Sequence, residues 1–462
     1  MTEPDAKVAT VDTIAAISTP PGRGGIGIVR LSGPQATEFA EQLVDMRQPL
    51  EHGRARLAVV RDADQANVID EAVVTFFASP NSYTAEDLVE IAAHGSPVVL
   101  DLLLRRAIDC GARLAEPGEF TQRAFLAGKI DLTQAEAVRD LIEAQTLTQA
   151  RQAASQMGGA ISRRVQPIKL ALVELIALLE AGVDFAEDDV DVAAATEIAR
   201  RIGELEPPLA TLEASFARGR IVHDGLTLAI VGRPNAGKSS LFNRLVERDR
   251  AIVTATPGTT RDLITERISL NGIPVELVDT AGLRDAHEEI EQLGIARSRE
   301  ALADAAMVLV VLDATQLLNS DEGSVLAAVE NRPAVIAINK CDLATQDVNA
   351  RLAGELPSAF SALLTSALTG EGIEALRERI VSLATGGAAP EPGLLTNLRQ
   401  QQAIATARSG LADAAQANAN SIPHEMILLD LYRALWALDS LTGQTTSDDI
   451  LNLIFSTFCI GK

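Results

Sequence analysis

The spacing of apolar residues divides the chain into stretches of different periodicity. Short β-type runs, Gly27–Arg30 and Ala72–Phe77, alternate with Gly/Pro breaks and one helix-length segment, Pro97–Cys110. This mixture predicts an α+β unit up to about Ala127. From Ala135 to Phe216 apolar residues recur every three or four positions, which predicts a helical segment.

Strand and helix patterns alternate in the next stretch of the chain. Short apolar runs separated by helix-length segments predict a mostly parallel sheet covered on both faces. The predicted strands are Thr227–Val231, Val275–Asp279, Met307–Asp313 and Ala334–Asn339. A Gly/Pro-rich linker, Ala384–Gly393, closes this region, and helical periodicity then resumes.

The two helical stretches flank the α/β segment, so we expect them to pack together as one discontinuous domain. The predicted fold class is therefore multidomain, with an α+β N-terminal domain, a discontinuous α-helical domain and an inserted α/β domain. The predicted boundaries are 1–128 for the first domain, 129–220 and 384–462 for the two helical parts, and 221–383 for the insert.

Composition narrows the possible partners. The 462 residues are 47% apolar, enough for about three cores, and the formal net charge is −23. An acidic surface repels phosphate backbones, and 3% aromatic content leaves few rings for stacking on single strands. This composition argues against a general nucleic-acid coat protein, and any RNA partner must contact a local patch.

The cysteines indicate the compartment. Cys110, Cys341 and Cys459 lie more than a hundred residues apart, so neither a zinc motif of near neighbours nor a disulfide framework is expected. The sequence has neither an apolar run of membrane-spanning length nor the basic and apolar order of a signal peptide at its start. We expect a cytoplasmic protein with no membrane partner.

A phosphate-loop pattern, Gly232–Ser239, follows one predicted strand and precedes a helix predicted to start at Ser240. Its backbone N–H groups and the helix N-terminus can hold the β-phosphate, Lys238 can reach the β/γ oxygens, and the Ser239 hydroxyl can bind Mg²⁺. The predicted contacts of this loop with the nucleotide are Asn235, Ala236, Gly237, Lys238, Ser239 and Ser240.

Two further elements follow this loop, as binding of a nucleoside triphosphate requires. Asp279, Thr280, Ala281 and Gly282 end a strand and are placed for the metal and the γ-phosphate, and Thr260 is the predicted switch hydroxyl and second Mg²⁺ ligand. These elements predict binding of a nucleoside triphosphate with Mg²⁺.

The motif Asn339, Lys340, Cys341 and Asp342 indicates which base is bound. The Asp342 carboxylate can accept two hydrogen bonds that guanine offers and adenine does not. The last loop over the base is predicted at Ser366, Ala367 and Leu368. Residues 225–383 are thus predicted to be a Ras-like GTPase domain that binds GTP.

Leu283 follows Gly282 where many GTPases carry a water-orienting Gln. The acidic run Glu288, Glu289 and Glu291 lies just downstream. One of these carboxylates can take over that role, or the run is simply a solvated acidic face.

Several longer motifs resemble the MnmE (TrmE) family of tRNA-modification GTPases over essentially the whole chain. They are Thr19–Arg30, Asn81–Glu90, Pro117–Leu126, Gly128–Ala137 and Phe458–Lys462. The resemblance implies a folate-binding, dimerising N-terminal domain, a discontinuous helical domain and an inserted GTPase domain. It also implies a homodimer that joins a flavin-dependent partner of the MnmG type, which carries FAD. Together they would install an aminomethyl or carboxymethylaminomethyl group on C5 of the wobble uridine of certain tRNAs.

The same resemblance implies site residues. A tetrahydrofolate derivative, 5-formyl or 5,10-methylene, would contact Arg30, Glu90, Lys129 and Lys462, whose charges suit a pterin edge and a glutamate tail. The chain departs from the family at Ala92–Gly95, where relatives often read His-Gly-His-Gly, and this puts a role for His94 in doubt.

The resemblance also implies K⁺ where other GTPases use an arginine finger. Its ligands would be the Asn235 side chain and the carbonyls of Thr254, Thr256 and Thr259, with Thr254 and Thr259 also near GTP. The water-orienting residue would be Glu291, so that Glu291, Lys238 and Thr260 form the predicted catalytic set.

Cys459 has two interpretations: a small apolar residue packed at a helix end, or a thiol near the one-carbon unit that adds to uracil C6. Two other functions for the whole chain also remain open on the residues alone. One is a GTPase switch in ribosome assembly, and the other is a GTP-regulated folate-dependent aminomethyl transferase that does not act on RNA.

Overall fold

A computed structural model of the chain describes residues 12–62, 67–184, 194–249, 264–279, 305–345, 356, 360, 362–387, 393–444 and 448–461. These residues form two compact units. The first comprises the residues up to Arg139 and those from Asp439 onward, and the second runs from Asp140 to Leu438.

The first unit is built on a seven-stranded sheet of order β3-β4-β5-β6-β2-β1-β7. Its strands are β1 (Ile14–Ile17), β2 (Gly24–Ser32), β3 (Val44–Met46), β4 (Ala55–Arg61), β5 (Val68–Phe77), β6 (Leu88–Gly95) and β7 (Arg113–Leu114). Only the short pair β1–β7 is parallel among these strands; the other neighbours are antiparallel.

Two helices, α1 (Ala36–Leu43) and α2 (Pro97–Asp109), pack on one face of this sheet. Phe39 of α1 and Leu103 of α2 are buried against inward-facing strand residues such as Val74. Pro at the first position of α2 suits a helix start, since that N–H has no partner within the helix. The predicted α+β character is confirmed, and α1 is a helix that the apolar spacing did not predict.

A second apolar cluster of the first unit joins segments far apart in sequence. It is formed by α3 (Glu119–Leu126), the first turns of α4 (Leu132–Glu143) and the last helix, α14 (Asp448–Ser456). Phe455 of α14 is fully buried beside Leu132, and its ring lies 6.3 Å from that of Phe125. This packing brings the end of the chain to the N-terminal sheet.

The second unit contains the remaining helical stretches. They are α5 (Leu147–Met157), α6 (Ala160–Asp184), α7 (Ala195–Ala214), α8 (Phe216–Asp224), α12 (Leu398–Ala419) and α13 (His424–Thr442). α12 packs along α7, and Arg408 of α12 forms ion pairs with Glu206 and Glu213 of α7. Helices from both sides of the α/β segment therefore pack together, as the periodicity predicted.

The α/β segment forms a six-stranded sheet of order β13-β12-β11-β8-β10-β9. Its strands are β8 (Leu226–Val231), β9 (Ile264–Leu270), β10 (Ile273–Asp279), β11 (Met307–Asp313), β12 (Ala334–Asn339) and β13 (Ala362–Leu364). Only β9 runs antiparallel within the described strands. The predicted parallel sheet is confirmed.

Helices α9 (Lys238–Asp249), α10 (Ser320–Val329) and α11 (Ile373–Thr385) accompany this sheet, and buried clusters lie on both of its faces. Because the parallel strands β8, β11 and β12 end at one edge, the loops that follow them meet there. That edge carries the predicted nucleotide motifs. Within the described residues, no helix combines the length and the apolar character needed to cross a membrane.

Candidate functional site

The phosphate loop lies between the end of β8 at Val231 and the start of α9 at Lys238, so the helix starts two residues earlier than predicted. Asn235 and Gly237 both adopt positive φ, +62° and +92°. A Cβ at position 237 would lie 2.2 Å from Asn339 Nδ2, so only Gly fits there. The turn thus presents backbone N–H groups at a helix N-terminus, an arrangement that binds phosphate.

Lys238 is held inside this loop. Its side chain reaches back and donates hydrogen bonds to the carbonyls of Gly232 (3.0 Å) and Arg233 (2.8 Å), and the residue is 7% exposed. A buried ammonium is costly unless it is hydrogen-bonded or paired with an anion. Its position is therefore well suited to the charge of a phosphate group.

Asn339, at the end of β12, connects the phosphate loop to the last loop of the site. Its Nδ2 donates to the carbonyl of Ala236 at 3.0 Å, and its Oδ1 accepts from the backbone N–H of Ala367 at 3.0 Å. Asn339 is 1% exposed. Two motifs that the sequence predicted separately are thus joined by one buried amide.

Lys340 has φ +64° and forms the second connection. Its Nζ donates to the carbonyl of Asn235 at 2.6 Å and to Asp313 Oδ2 at 2.7 Å. Burial alone would raise the pKa of Asp313, but hydrogen bonds from Lys340 and Thr315 outweigh it and hold that pKa below its usual range. An ionised Asp313 therefore anchors Lys340 against the phosphate loop.

The residues assigned to the base lie beside these connections. Asp342 is exposed in a short 3-10 helix, Cys341–Leu343. Ser366 is fully buried, and its Oγ accepts from the N–H of Thr369 at 3.1 Å, while Leu368 is 81% exposed. An exposed carboxylate and an exposed apolar side chain on these two loops suit a planar base that needs both hydrogen bonds and an apolar contact.

Sequence reasoning missed two residues of this site. Asp313 ends β11 in register with Asn339 of β12, so the shared sheet edge was a usable signal for it. The second is Glu322, a buried residue that forms an ion pair with Arg233 of the phosphate loop. Its Oε1 accepts no hydrogen bond among the described residues. Glu322 belongs to the capping box at the start of α10, which no spacing pattern linked to the loop.

Several predicted residues lie outside the described residues. They are Thr254, Thr256, Thr259, Thr260, Thr280, Ala281, Gly282, Leu283, Glu288, Glu289, Glu291 and Lys462. Asp279 is described as the last residue of β10, where its backbone pairs in register with Ile230 of β8. Ser239 and Ser240 are exposed in the first turn of α9.

A second site lies on the sheet of the first unit. Arg30 of β2 and Glu90 of β6 are partners in register, and Arg30 donates from Nε (3.0 Å) and Nη2 (2.7 Å) to Glu90 Oε1. Its Nη1 donates to the carbonyl of Gly461 at 3.3 Å. Two residues predicted as separate ligand contacts thus bind each other, next to the C-terminal tail.

Aromatic rings hold the Arg30 guanidinium in place. It lies 5.7 Å from the centre of the Tyr83 ring and 5.5 Å from that of Phe120, within the range of cation–π contacts. Burial raises the pKa of Tyr83, whose hydroxyl lies 2.9 Å from Thr121 Oγ1. Tyr83 and Phe120 were not predicted as site residues, because only the fold brings them to Arg30.

The tail reaches this site through two glycines. Gly461 has φ +95°, and a Cβ there would lie 2.6 Å from the Ile17 carbonyl; Gly118, with φ +70°, is similarly close to Phe455. Between them, Ile460 forms a bridge with Pro117. Larger residues at either glycine would displace the tail.

Cys459 is exposed, whereas Phe458 before it is buried in the helix cluster. Of the two interpretations of Cys459, packing as a small apolar residue is therefore wrong for the chain by itself, because the aromatic ring of Phe458 takes the buried position and Cys459 is exposed. Lys129 is exposed just after α3, with its backbone N–H bonded to the Ala124 carbonyl at 2.9 Å.

A cavity of about 260 Å³ in the second unit is separate from the nucleotide motifs. It is lined by residues of α4, α5, the end of α8 and strands β8 to β10. His223 lies in its wall, 3.1 Å from the buried Asp140 and 2.7 Å from Asp224. The hydrogen bond to Asp140, foremost, raises the pKa of His223 to about 9, so this imidazole is charged at neutral pH.

Comparison with known proteins finds relatives over the whole chain. Residues 132–459 match the family described as "MnmE helical domain", and residues 13–129 match "GTP-binding protein TrmE N-terminus". A "tRNA modification GTPase MnmE" from Koribacter versatilis is 56% identical over 457 residues, covering 98% of this chain and 99% of that protein. The protein of the same name from Chloroflexus aurantiacus is 42% identical, covering 98% of this chain and all of that protein.

Proposed function

The chain belongs to the MnmE family of tRNA modification GTPases, and on that premise we propose that it installs an aminomethyl or carboxymethylaminomethyl group on C5 of wobble uridine. It would do so with a flavin-dependent partner of the MnmG type that carries FAD. GTP hydrolysis in the α/β domain would accompany a one-carbon transfer from a folate bound by the first unit.

The observation that carries this proposal is the meeting of Arg30, Glu90 and Gly461 in the first unit. Arg30 Nε and Nη2 both donate to Glu90 Oε1, and among the described residues nothing donates to Glu90 Oε2. That oxygen is available to the donor pair of a pterin edge. The residues therefore fit a reduced folate, with Lys129 and Lys462 as further proposed contacts for its carboxylates.

The nucleotide site fits GTP with Mg²⁺. The residues that would hold GTP are the phosphate loop, Lys238, Asn339, Asp342 and Ser366–Leu368. Mg²⁺ would bind Ser239 and Thr260, and it would neutralise charge that develops on the phosphates. K⁺ would bind the Asn235 side chain and carbonyls of Thr254, Thr256 and Thr259, and Glu291 would orient the attacking water.

A homodimer is supported by the sheet face opposite α1 and α2. On that face Leu57 of β4 and Val73 of β5 are paired in register and are 78% and 39% exposed. Ile26 of β2 is a further exposed apolar residue of this sheet, 68% exposed. Exposed apolar side chains grouped on one sheet face are typical of a protein–protein contact.

The exposed Cys459 lies two residues before Gly461, whose carbonyl accepts from Arg30. We include its thiol in the proposal as a nucleophile that adds to uracil C6 and makes C5 nucleophilic. We place the reaction in the cytoplasm, where tRNA is available.

Mass analysis of wobble uridines tests the proposal. A strain that lacks this chain should contain tRNA without the C5 substituent, and the wild-type chain should restore it. A fully modified wobble position in the deletion strain would refute the proposed function. A folate transferase that does not act on RNA, or a ribosome-assembly switch, would give that result.

A further inference from the structure

Acidic residues are unevenly distributed in this chain, whose net charge is −23. Three segments of the second unit contain neither Asp nor Glu: 144–173, 214–223 and 392–412. The cations in these segments are Arg151, Arg163, Arg164, Lys169, Arg218, Arg220, Arg399 and Arg408. Such segments are unexpected in a chain with 63 acidic residues. If the fold brings them together, they form a part of the surface that is poor in carboxylates.

The fold joins the three segments at residues 393–396. Gln156 donates to the Leu394 carbonyl at 2.8 Å, and Arg164 donates to the Gly393 carbonyl at 3.0 Å. The Leu395 N–H donates to Ser215 Oγ at 3.2 Å. The acid-free segments therefore form one continuous region of the second unit.

Four helices begin in this region: α5 at Leu147, α6 at Ala160, α8 at Phe216 and α12 at Leu398. None of these four carries an acidic residue in its first turn, whereas α7 and α13 carry Glu197 and Glu425 there. Each helix N-terminus adds partial positive charge that an acidic first turn would offset. These helix N-termini therefore keep their partial positive charge, while Arg220 and Arg408 are paired with carboxylates from outside the segments.

Four of its arginines are not neutralised within the described part of the chain. Arg151, Arg163, Arg164 and Arg218 form no ion pair there; Arg163 and Arg164 donate only to the carbonyls of Gly158 and Gly393. Arg151 and Arg163 are exposed, and Arg164 and Arg218 are half-buried. By contrast, Arg200 of α7 is paired with Glu197 and Glu204.

We propose that this region, the arginine patch of Arg151, Arg163, Arg164 and Arg218, binds the phosphate backbone of tRNA. Guanidinium groups and helix N-termini are the donors that contact nucleic-acid phosphates. On a surface that otherwise repels polyanions, one positive region also orients the RNA during encounter. The inference rests on the proposed function and adds the surface through which the substrate is held.

The test compares the full-length wild-type chain with Arg151→Gln/Arg163→Gln/Arg218→Gln, using fluorescence anisotropy of an unmodified tRNA transcript at several salt concentrations. Arg164 is left in place because it supports residues 393–396. A control, Arg54→Gln/Arg105→Gln/Arg200→Gln, removes the same charge at exposed positions elsewhere. GTP hydrolysis without tRNA reports whether each variant is folded.

The patch variant should bind tRNA about tenfold more weakly or worse, and the slope of log affinity against log salt should fall by about 2 to 3, since each phosphate contact contributes about 0.7 to 0.9 to it. The control should stay within about twofold, and GTP hydrolysis should be unchanged in both. Wild-type affinity and slope in the patch variant would overturn the proposal, as would equal weakening in the control.

Two further outcomes would show that the patch binds a different ligand or that the proposed function itself is wrong. If the patch variant loses binding to vesicles containing phosphatidylglycerol while tRNA binding is unchanged, the patch contacts lipid and the proposal is wrong. If the wild-type chain binds no tRNA at low salt, with or without its flavin partner, then the proposed function fails together with the patch. Failure of the patch variant alone leaves the proposed function in place.

Discussion

Arg30 and Glu90 face each other on neighbouring strands β2 and β6, with two N–H donors of the arginine on the single oxygen Oε1 of the glutamate. The carboxylate is thereby oriented while its other oxygen accepts nothing from the described residues. Such a pair prepares a ligand contact, because the cost of orienting the carboxylate is met before the ligand binds.

Glu90→Gln should weaken binding of 5-formyl-tetrahydrofolate by about 10- to 100-fold, since a hydrogen bond to a charged group contributes about 1.5 to 3 kcal/mol. Arg30→Gln should have a similar effect because it releases the carboxylate. Calorimetry measures the affinity, and Glu71→Gln, at an exposed position on β5, is the matched control. GTP hydrolysis should be unchanged in all three. Wild-type affinity in Glu90→Gln would show that the pterin does not bind at this carboxylate.

Asp342→Asn should lower GTP affinity about 100-fold or more while allowing xanthosine triphosphate to bind. The carboxylate accepts from guanine N1–H and the exocyclic amine, whereas an amide can donate to the carbonyl that replaces this amine in xanthine. Competition with a fluorescent guanine nucleotide measures both affinities. Equal loss for both nucleotides would indicate that Asp342 supports the fold of the loop instead of reading the base.

GTP turnover should increase on the order of tenfold or more when K⁺ replaces Na⁺ at constant ionic strength, because a cation in the site stabilises charge that develops on the phosphates. Asn235→Ala should reduce this K⁺ response more than it reduces GTP affinity. Steady-state phosphate release in the two salts is the measurement. Identical rates in both salts would exclude a K⁺ site at Asn235.

The imidazole of His223 should titrate near pH 9, well above its ordinary value of 6.5, because Asp140 accepts its hydrogen bond. Because the pKa of His223 is higher in the folded than in the unfolded chain, its protonated imidazole stabilises the folded state. This contribution is fully present below about pH 6.5 and is lost as pH rises through about 9. NMR of the histidine C2 protons, assigned with His223→Gln, measures the titration. Asp140→Asn should bring the value back toward 6.5; an unchanged value would assign the shift to other groups.

Much of the α/β domain was predictable because its signals are local. The motif around Lys238 and the strand before Asn339 are contiguous in sequence, and parallel strands bring their ends to one edge. The same rule could have predicted the pairing of Asp313 with Lys340, because β11 and β12 end side by side. The motifs contained Asn339 but did not show that its buried amide joins two loops more than a hundred residues apart.

The proposed folate site and the arginine patch depend on contacts that sequence spacing does not encode. Gly461 meets Arg30 across 431 positions, through packing of Phe455 against α3 and α4. Helix α1 was missed because eight residues between strands offer too short a window for helical periodicity. The exposure of Cys459 follows from the burial of its neighbour Phe458, which the apolar run alone did not decide.

The most direct test of the account follows the carbon itself. The purified chain, its flavin partner, GTP, K⁺, Mg²⁺ and unmodified tRNA are incubated with 5,10-methylene-tetrahydrofolate that carries an isotopic label in the one-carbon unit. Mass analysis then locates the label in the tRNA nucleosides. We expect the label in the methylene group attached to C5 of wobble uridine, and its loss when Lys238→Ala abolishes GTP hydrolysis or Glu90→Gln weakens folate binding. A wobble uridine that remains unmodified in the complete reaction, or that gains an unlabelled substituent, would contradict the account.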